Sequence, residues 1–168
     1  MFTDLVKTGF EIKGRNKKYQ WLPPTLRKYG EFVRWVQYKP WHNAKENNLP
    51  EEIQDEILIE CRKGKVIEKV PPDDWPDDKD VELKDLVEQE FNIHLGSSCV
   101  VEHFISSEGM AKLLQLGISI IHPEVNEETL DQEVDFLEQR KAVLELQDTM
   151  FSQEEEIGKN EESPNQEK

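Results

Sequence analysis

Histidine and cysteine have the widest chemical scope of any side chains in this 168-residue sequence, and they are few: His42, His94, His103 and His122, with Cys61 and Cys99. The one local cluster is His94-x4-Cys99-x3-His103. A closed zinc site needs four well-placed nitrogen or sulfur ligands, commonly from paired cysteines, and a catalytic helix site uses HExxH. The sequence carries neither pattern. A nucleophilic thiol needs an adjacent base and a group to orient that base. Cys61 falls on the apolar stripe of an expected helix and reads as a packed thiol. Cys99 has Ser97, Ser98 and His103 nearby, but no recognisable orienting group. Asp73, Asp74, Asp77, Asp78 and Asp80 lack the central glycine and terminal glutamate of a calcium loop. The glycines are scattered, without GxGxxG or GxxxxGK[ST]. The expectation is a protein that is not an enzyme, with no metal and no cofactor.

Composition bounds the fold. Charged residues make up 34% of the chain and apolar ones 36%, yet four Trp, seven Phe and three Tyr supply bulk for a core. No apolar run is long enough for a membrane span. The opening MFTDLVKTGFEIKG has no basic leader followed by an apolar stretch. With two cysteines and no leader, the expected location is cytoplasmic and the thiols reduced. The net charge of −15 is uneven, because residues 1–70 are slightly basic and residues 71–168 strongly acidic. An acidic half disfavours phosphate backbones, so nucleic acid is not an expected partner. Lys13, Arg15, Lys17 and Lys18 read as the solubilising charge of a hairpin turn.

These patterns call for a mainly α, compact helical domain of five or six helices with a short N-terminal β-hairpin, over residues 1–150, followed by a disordered acidic tail at 151–168. Phe10 and Ile12 alternate, as do Tyr19 and Trp21, around the polar GRNKK connection. Pro23 and Pro24 stop the second strand. Leu26, Tyr29, Val33 and Val36 predict a helix over 25–37, with Tyr38, Pro40 and Trp41 as its exit and Trp41 covering one end of the core. Pro50 and two glutamates start a helix carrying Ile53, Ile57 and Cys61, which ends before Gly64. Residues 66–80, with three prolines and five aspartates, read as an acidic loop. Residues 81–91 are expected to be helical, and 92–105 fit either a helix continuing to 105, the preferred reading, or a short strand after the Gly-Ser-Ser break. Ser106 or Ser107 caps a central helix carrying Met110, Leu113, Leu114 and Ile118, which His122-Pro123 ends. Asn126 caps one last helix. On it Leu130, Val134, Leu137, Lys141 and Leu144 fall at four-three spacing, while Val143, Leu146 and Met150 place apolar surface far out, suited to a partner or a homo-oligomer.

The hairpin ending in Tyr19 and Trp21, then proline, then a helix with Glu31, Phe32 and Trp35, resembles small helical proteins of tailed bacteriophages. Ser107-Glu108-Gly109-Met110 and His122-Pro123-Glu124-Val125 before an acidic-capped helix are similar to the same group, over a pattern covering residues 8–145. The class it most resembles is the tail assembly chaperones. That resemblance implies a non-enzymatic assembly protein in the host cytoplasm, binding a phage structural polypeptide during tail morphogenesis, with no catalytic residue to carry over. The alternatives are a structural virion or connector accessory protein, and an acidic regulator that mimics DNA. The residues chosen for partner binding are Trp21, Trp35, Trp41, Trp75, Leu146 and Met150, since aromatic anchors dominate interface energetics.

Overall fold

A computed structural model describes residues 9–161, with side chains up to residue 148. The chain is mainly α, with six helices among the described residues and a short N-terminal hairpin. The sequence suggested one domain over 1–150; the described residues divide into two compact units, one from residues 9–28 and 106–161, the other from Tyr29–Ile105.

The first unit begins with β1 (Phe10–Lys13) and β2 (Lys18–Trp21), antiparallel with Phe10 opposite Trp21 and Ile12 opposite Tyr19. Alternation puts these four side chains on one face, and all four are buried. The phenyl of Phe10 stacks on the indole of Trp21 at 4.8 Å. That face meets α4 (Ser107–Ser119), where Trp21 Nε1 donates to the Leu113 carbonyl at 3.3 Å. A β-carbon at Gly117 would collide with the same indole, so glycine there is what lets the ring reach the helix backbone. Ser106 caps α4 by accepting from the Gly109 amide at 3.0 Å. Every residue of α4 from Leu113 to Ser119 is buried, as the broad apolar face requires.

Asn126 caps α5 (Glu127–Glu133), accepting from the Thr129 amide at 2.8 Å. The single last helix expected from Asn126 is in fact two, because Val134 turns extended before α6 (Phe136–Glu161). The cause is the hairpin turn. The Arg15 amide takes the Glu133 carbonyl at 2.7 Å, which a continuing helix would need, and its guanidinium pairs with Asp135 at 2.8 Å. The backbone of α6 runs into the segment read as a disordered tail; residues 162–168 lie outside the described residues.

In the second unit, α1 (Leu26–Glu46) continues past the exit expected at Tyr38-Pro40-Trp41. Proline lacks only the one N–H, and the apolar row of Val36 and Ala44, buried on either side of Pro40, keeps the helix together. Next, α2 (Glu51–Lys63) ends at Gly64, whose φ of 60° is left-handed, the conformation that a helix C-terminus here demands. The acidic loop is there over residues 71–82, but it begins later than 66. The chain on either side of it, including the end of the helix expected over 81–91, forms a second antiparallel hairpin, β3 (Lys65–Val70) with β4 (Val87–Asn92). KVIEKV alternates in burial, and its lysine Lys69 faces Glu88 across the ladder. Leu83 and Leu86 suggested a helical face, but only a single 3-10 turn forms at Leu83–Asp85 and Leu83 is 87% exposed. Helix α3 (Ser98–Ile105) agrees with the helical reading of the end of 92–105. Phe32 sits at the centre, stacked on Phe104 at 4.6 Å and tilted against Trp35 at 5.5 Å.

Candidate binding groove

The second unit is only partly filled. Between α1, α2, the start of β3 and α3 lies an open groove of about 710 Å³. Val36, Ile57, Val66 and Ile93 give it apolar walls. Lys39 and Lys65 lie on two of its sides, and Glu56 and Glu60 on the α2 side. The sequence builds this locally. Ile57 and Cys61 are one helical turn apart on α2, Gly64 turns the chain sharply into β3, and strand alternation then brings Val66 to the same side as Cys61. The Ile93 amide bonds the Gly64 carbonyl at 2.8 Å, which fixes the end of the second hairpin beside that turn.

Polar groups pin the walls. Gln37 Nε2 donates to the Cys61 carbonyl at 2.7 Å, tying α1 to the last turn of α2. His103 Nδ1 lies 2.6 Å from the Cys99 carbonyl, one turn back on α3, and its ring meets Trp35 edge-on at 5.7 Å. Ser98 donates through both its amide and its hydroxyl to Glu68, joining α3 to β3 and holding the Glu68 carboxyl below its ordinary range. Because Pro40 has no N–H, the Val36 carbonyl receives no helical bond from it, and both residues line the groove.

Cys61, Cys99 and His103 all line this groove, whereas His94 belongs to a turn in which its Nδ1 accepts from the Gly96 amide at 3.0 Å. The linear His94–Cys99–His103 cluster is thus split. Among the described residues no three His, Cys, Asp or Glu side chains gather as a metal site would require. Burial pushes the Cys99 thiol up, away from the thiolate that attack would need.

The residues chosen for partner binding scatter. Trp21 and Leu146 are buried in the first unit, which corrects the reading of Leu146 as outlying surface. Trp35 is half-buried beside the groove, with Lys39 Nζ 4.6 Å above its ring. Trp41 lies six residues, nearly two turns, further along α1, under Lys45 and beside His42. Trp75 anchors its own loop, donating to the Lys79 carbonyl at 3.1 Å. The side chain of Met150 lies outside the described residues. Sequence reasoning did not assemble Val36, Gln37, Ile57, Val66 and Ile93 into one site. The four-residue step from Ile57 to Cys61 was the visible signal, and Val66 was hidden in an apparent loop.

The chain is therefore a mainly α protein of two units, one of which carries an open, apolar-walled groove. It matches no protein-family model, no curated protein and no solved structure. Among the described residues no helix is long and apolar enough to cross a membrane.

Proposed function

We propose that this protein is a non-enzymatic binding protein whose groove holds an apolar segment of a client polypeptide. The resemblance of its hairpin and helix signatures to tail assembly chaperones makes that client a phage structural polypeptide met during tail morphogenesis. The groove carries this reading. Its volume of about 710 Å³ takes several side chains of a client. Its walls give apolar contact, while lysines and glutamates on separate sides select the orientation of a charged segment. Trp35 stands next to it as the nearest aromatic anchor.

The test uses the full chain as bait in extract from the native host, with mass spectrometry of what is retained. The expected result is one phage structural polypeptide, held by the wild-type chain and lost from Ile57→Asp, whose circular dichroism stays unchanged. A photo-crosslinking residue in place of Lys65, at the exposed rim, should attach to the same polypeptide. A transient chaperone is absent from finished particles, whereas a virion or connector component persists there at fixed stoichiometry. Retention of no phage polypeptide, or equal retention by Ile57→Asp together with no crosslink at position 65, overturns the proposal.

A further inference from the structure

The second hairpin has an open edge. Its sheet holds β3 and β4 alone, and among the described residues no backbone hydrogen bond reaches β4 from any other element. The Ile93 amide bonds the Gly64 carbonyl directly opposite it, at 2.8 Å. Pairs in an antiparallel ladder alternate from there. Val87, Gln89 and Phe91 therefore turn their N–H and C=O toward β3, while Glu88, Glu90 and Asn92 turn theirs outward. All three of the outward residues are exposed. Glu88 lies opposite Lys69, but Glu90 lies opposite Ile67 and makes no ion pair among the described residues. On the other face Val87, 45% exposed, and the half-buried Phe91 leave apolar surface beside the same edge. No residue of β4 lines the groove.

We propose that β4 takes up, as a third antiparallel strand, an extended segment of a partner protein in which Lys or Arg alternates with apolar residues. A residue directly opposite Glu90 exchanges both backbone bonds with it, and its side chain stands on the same face. Cations thus fall opposite Glu88 and Glu90, and the residues between them lie beside Val87 and Phe91. A two-stranded ladder is marginal in water, and an added strand completes it. Charge selects the occupant. The loop joining the strands adds Asp73, Asp74, Asp77, Asp78 and Asp80 at the Val87 end, which draws a cationic segment to this edge. A second copy is opposed twice. Pairing about Glu90 sets that carboxylate against its counterpart, and each copy carries a net charge of −15. The edge of β3 is less suited, because Lys65 and Lys69 guard it and the acidic partner they call for is repelled by the same net charge.

Nuclear magnetic resonance of the full chain, titrated with end-capped hexapeptides, tests the added strand. The probe alternates lysine and valine and is N-methylated at its valines, whose N–H groups point away from β4. Saturable shifts at Glu88, Glu90 and Asn92 are expected, with hydrogen exchange of those three amides slowed several-fold. The same peptide N-methylated at its lysines loses the bonds to β4 and should bind about tenfold more weakly, although its charge is unchanged. Glu90→Lys should weaken the probe about tenfold with circular dichroism unchanged, and binding should fall as salt rises. Equal binding of the two N-methylated peptides means charge attraction alone and overturns the proposal. So does a glutamate–valine peptide that binds as tightly as the probe, or an absence of shifts at Glu88, Glu90 and Asn92. Chains of copies that lengthen with protein concentration in the absence of peptide also overturn it, by assigning the edge to β3 of a second copy.

Discussion

The two units spend their apolar residues differently. In the first, the hairpin face, Met110 and Leu113–Ile118 of α4, Val125, Leu130, Val134, Ala142 and Leu146 are buried. Trp21 reaches through to the backbone of α4, and exposed apolar side chains lie at Ile121 and along α6 at Phe136, Leu137 and Leu144. In the second, Phe32, Val36, Ala44, Cys61 and Val100 are the buried apolar side chains, while Ile53, Ile59, Ile67, Val101 and Ile105 remain exposed. Each large apolar side chain fully buried contributes roughly 1.5–3 kcal/mol, so the first unit holds most of the hydrophobic stabilisation. The second keeps apolar surface uncovered around a groove. Such a division suits a scaffold and a binding element, since surfaces that accept partners come from the less stable parts of a fold.

The contrast is broken most directly at Trp21. Trp21→Ala removes the ring stack on Phe10 and the bond to the Leu113 carbonyl from a closed core. It should cost about 3–5 kcal/mol, enough to lose most of the stability of a small unit. Gly117→Ala should cost less, about 1–3 kcal/mol, because its β-carbon forces the indole aside. Urea denaturation followed by far-ultraviolet circular dichroism measures both. If Trp21→Ala shifts the midpoint no more than an exposed-site control such as Leu26→Ala, the first unit is not the stable one.

Amide hydrogen exchange sharpens the same comparison without a mutation. Amides of Leu113–Ile118 in α4 should exchange only through global opening, whereas those of β4 should exchange several kcal/mol more easily. A two-stranded ladder is marginal in water, and every residue of β4 except Phe91 is exposed. Equal protection in the two elements would mean that the second unit is as closed as the first.

What the sequence made legible follows the same division. Elements of the first unit are strongly patterned. Phe10, Ile12, Tyr19 and Trp21 alternate, Ser106 and Asn126 are good caps, and the α4 stripe is broad; each of these signals reappears in the structure. The break at Val134 was not legible, because it depends on Arg15 taking a carbonyl more than a hundred residues away in sequence. In the second unit the local signals compete. Pro40 argues for a helix end, yet packing of Val36 and Ala44 overrides it. Leu83, Leu86 and Val87 have helical spacing, but Val87 pairs with Val70 in a ladder that only the tertiary fold supplies. The groove was unreadable for the same reason, since its walls come from four elements and two of those were assigned incorrectly.

The smallest expected effect concerns one tie within the second unit. Ser98 donates to Glu68 by its amide at 2.8 Å and by its hydroxyl, and these bonds hold the Glu68 carboxyl below the ordinary 4.5. A carboxyl lowered in the folded state adds stability that is present above its unfolded pKa and fades as pH falls through its folded one. The tie between β3 and α3 is therefore intact at neutral pH and weakens once the solution is more acidic than the usual carboxylate range. Glu68 is only half-buried, so the effect is local, with little change in global stability. Exchange or limited proteolysis at residues 97–105 should accelerate on acidification in the wild-type chain more than in Glu68→Gln, which already lacks the charge. Because α3 carries both Cys99 and His103, that loosening should open one wall of the groove while α4 stays protected. If 97–105 and α4 instead loosen together with acid, the two units do not respond independently and the contrast between them fails.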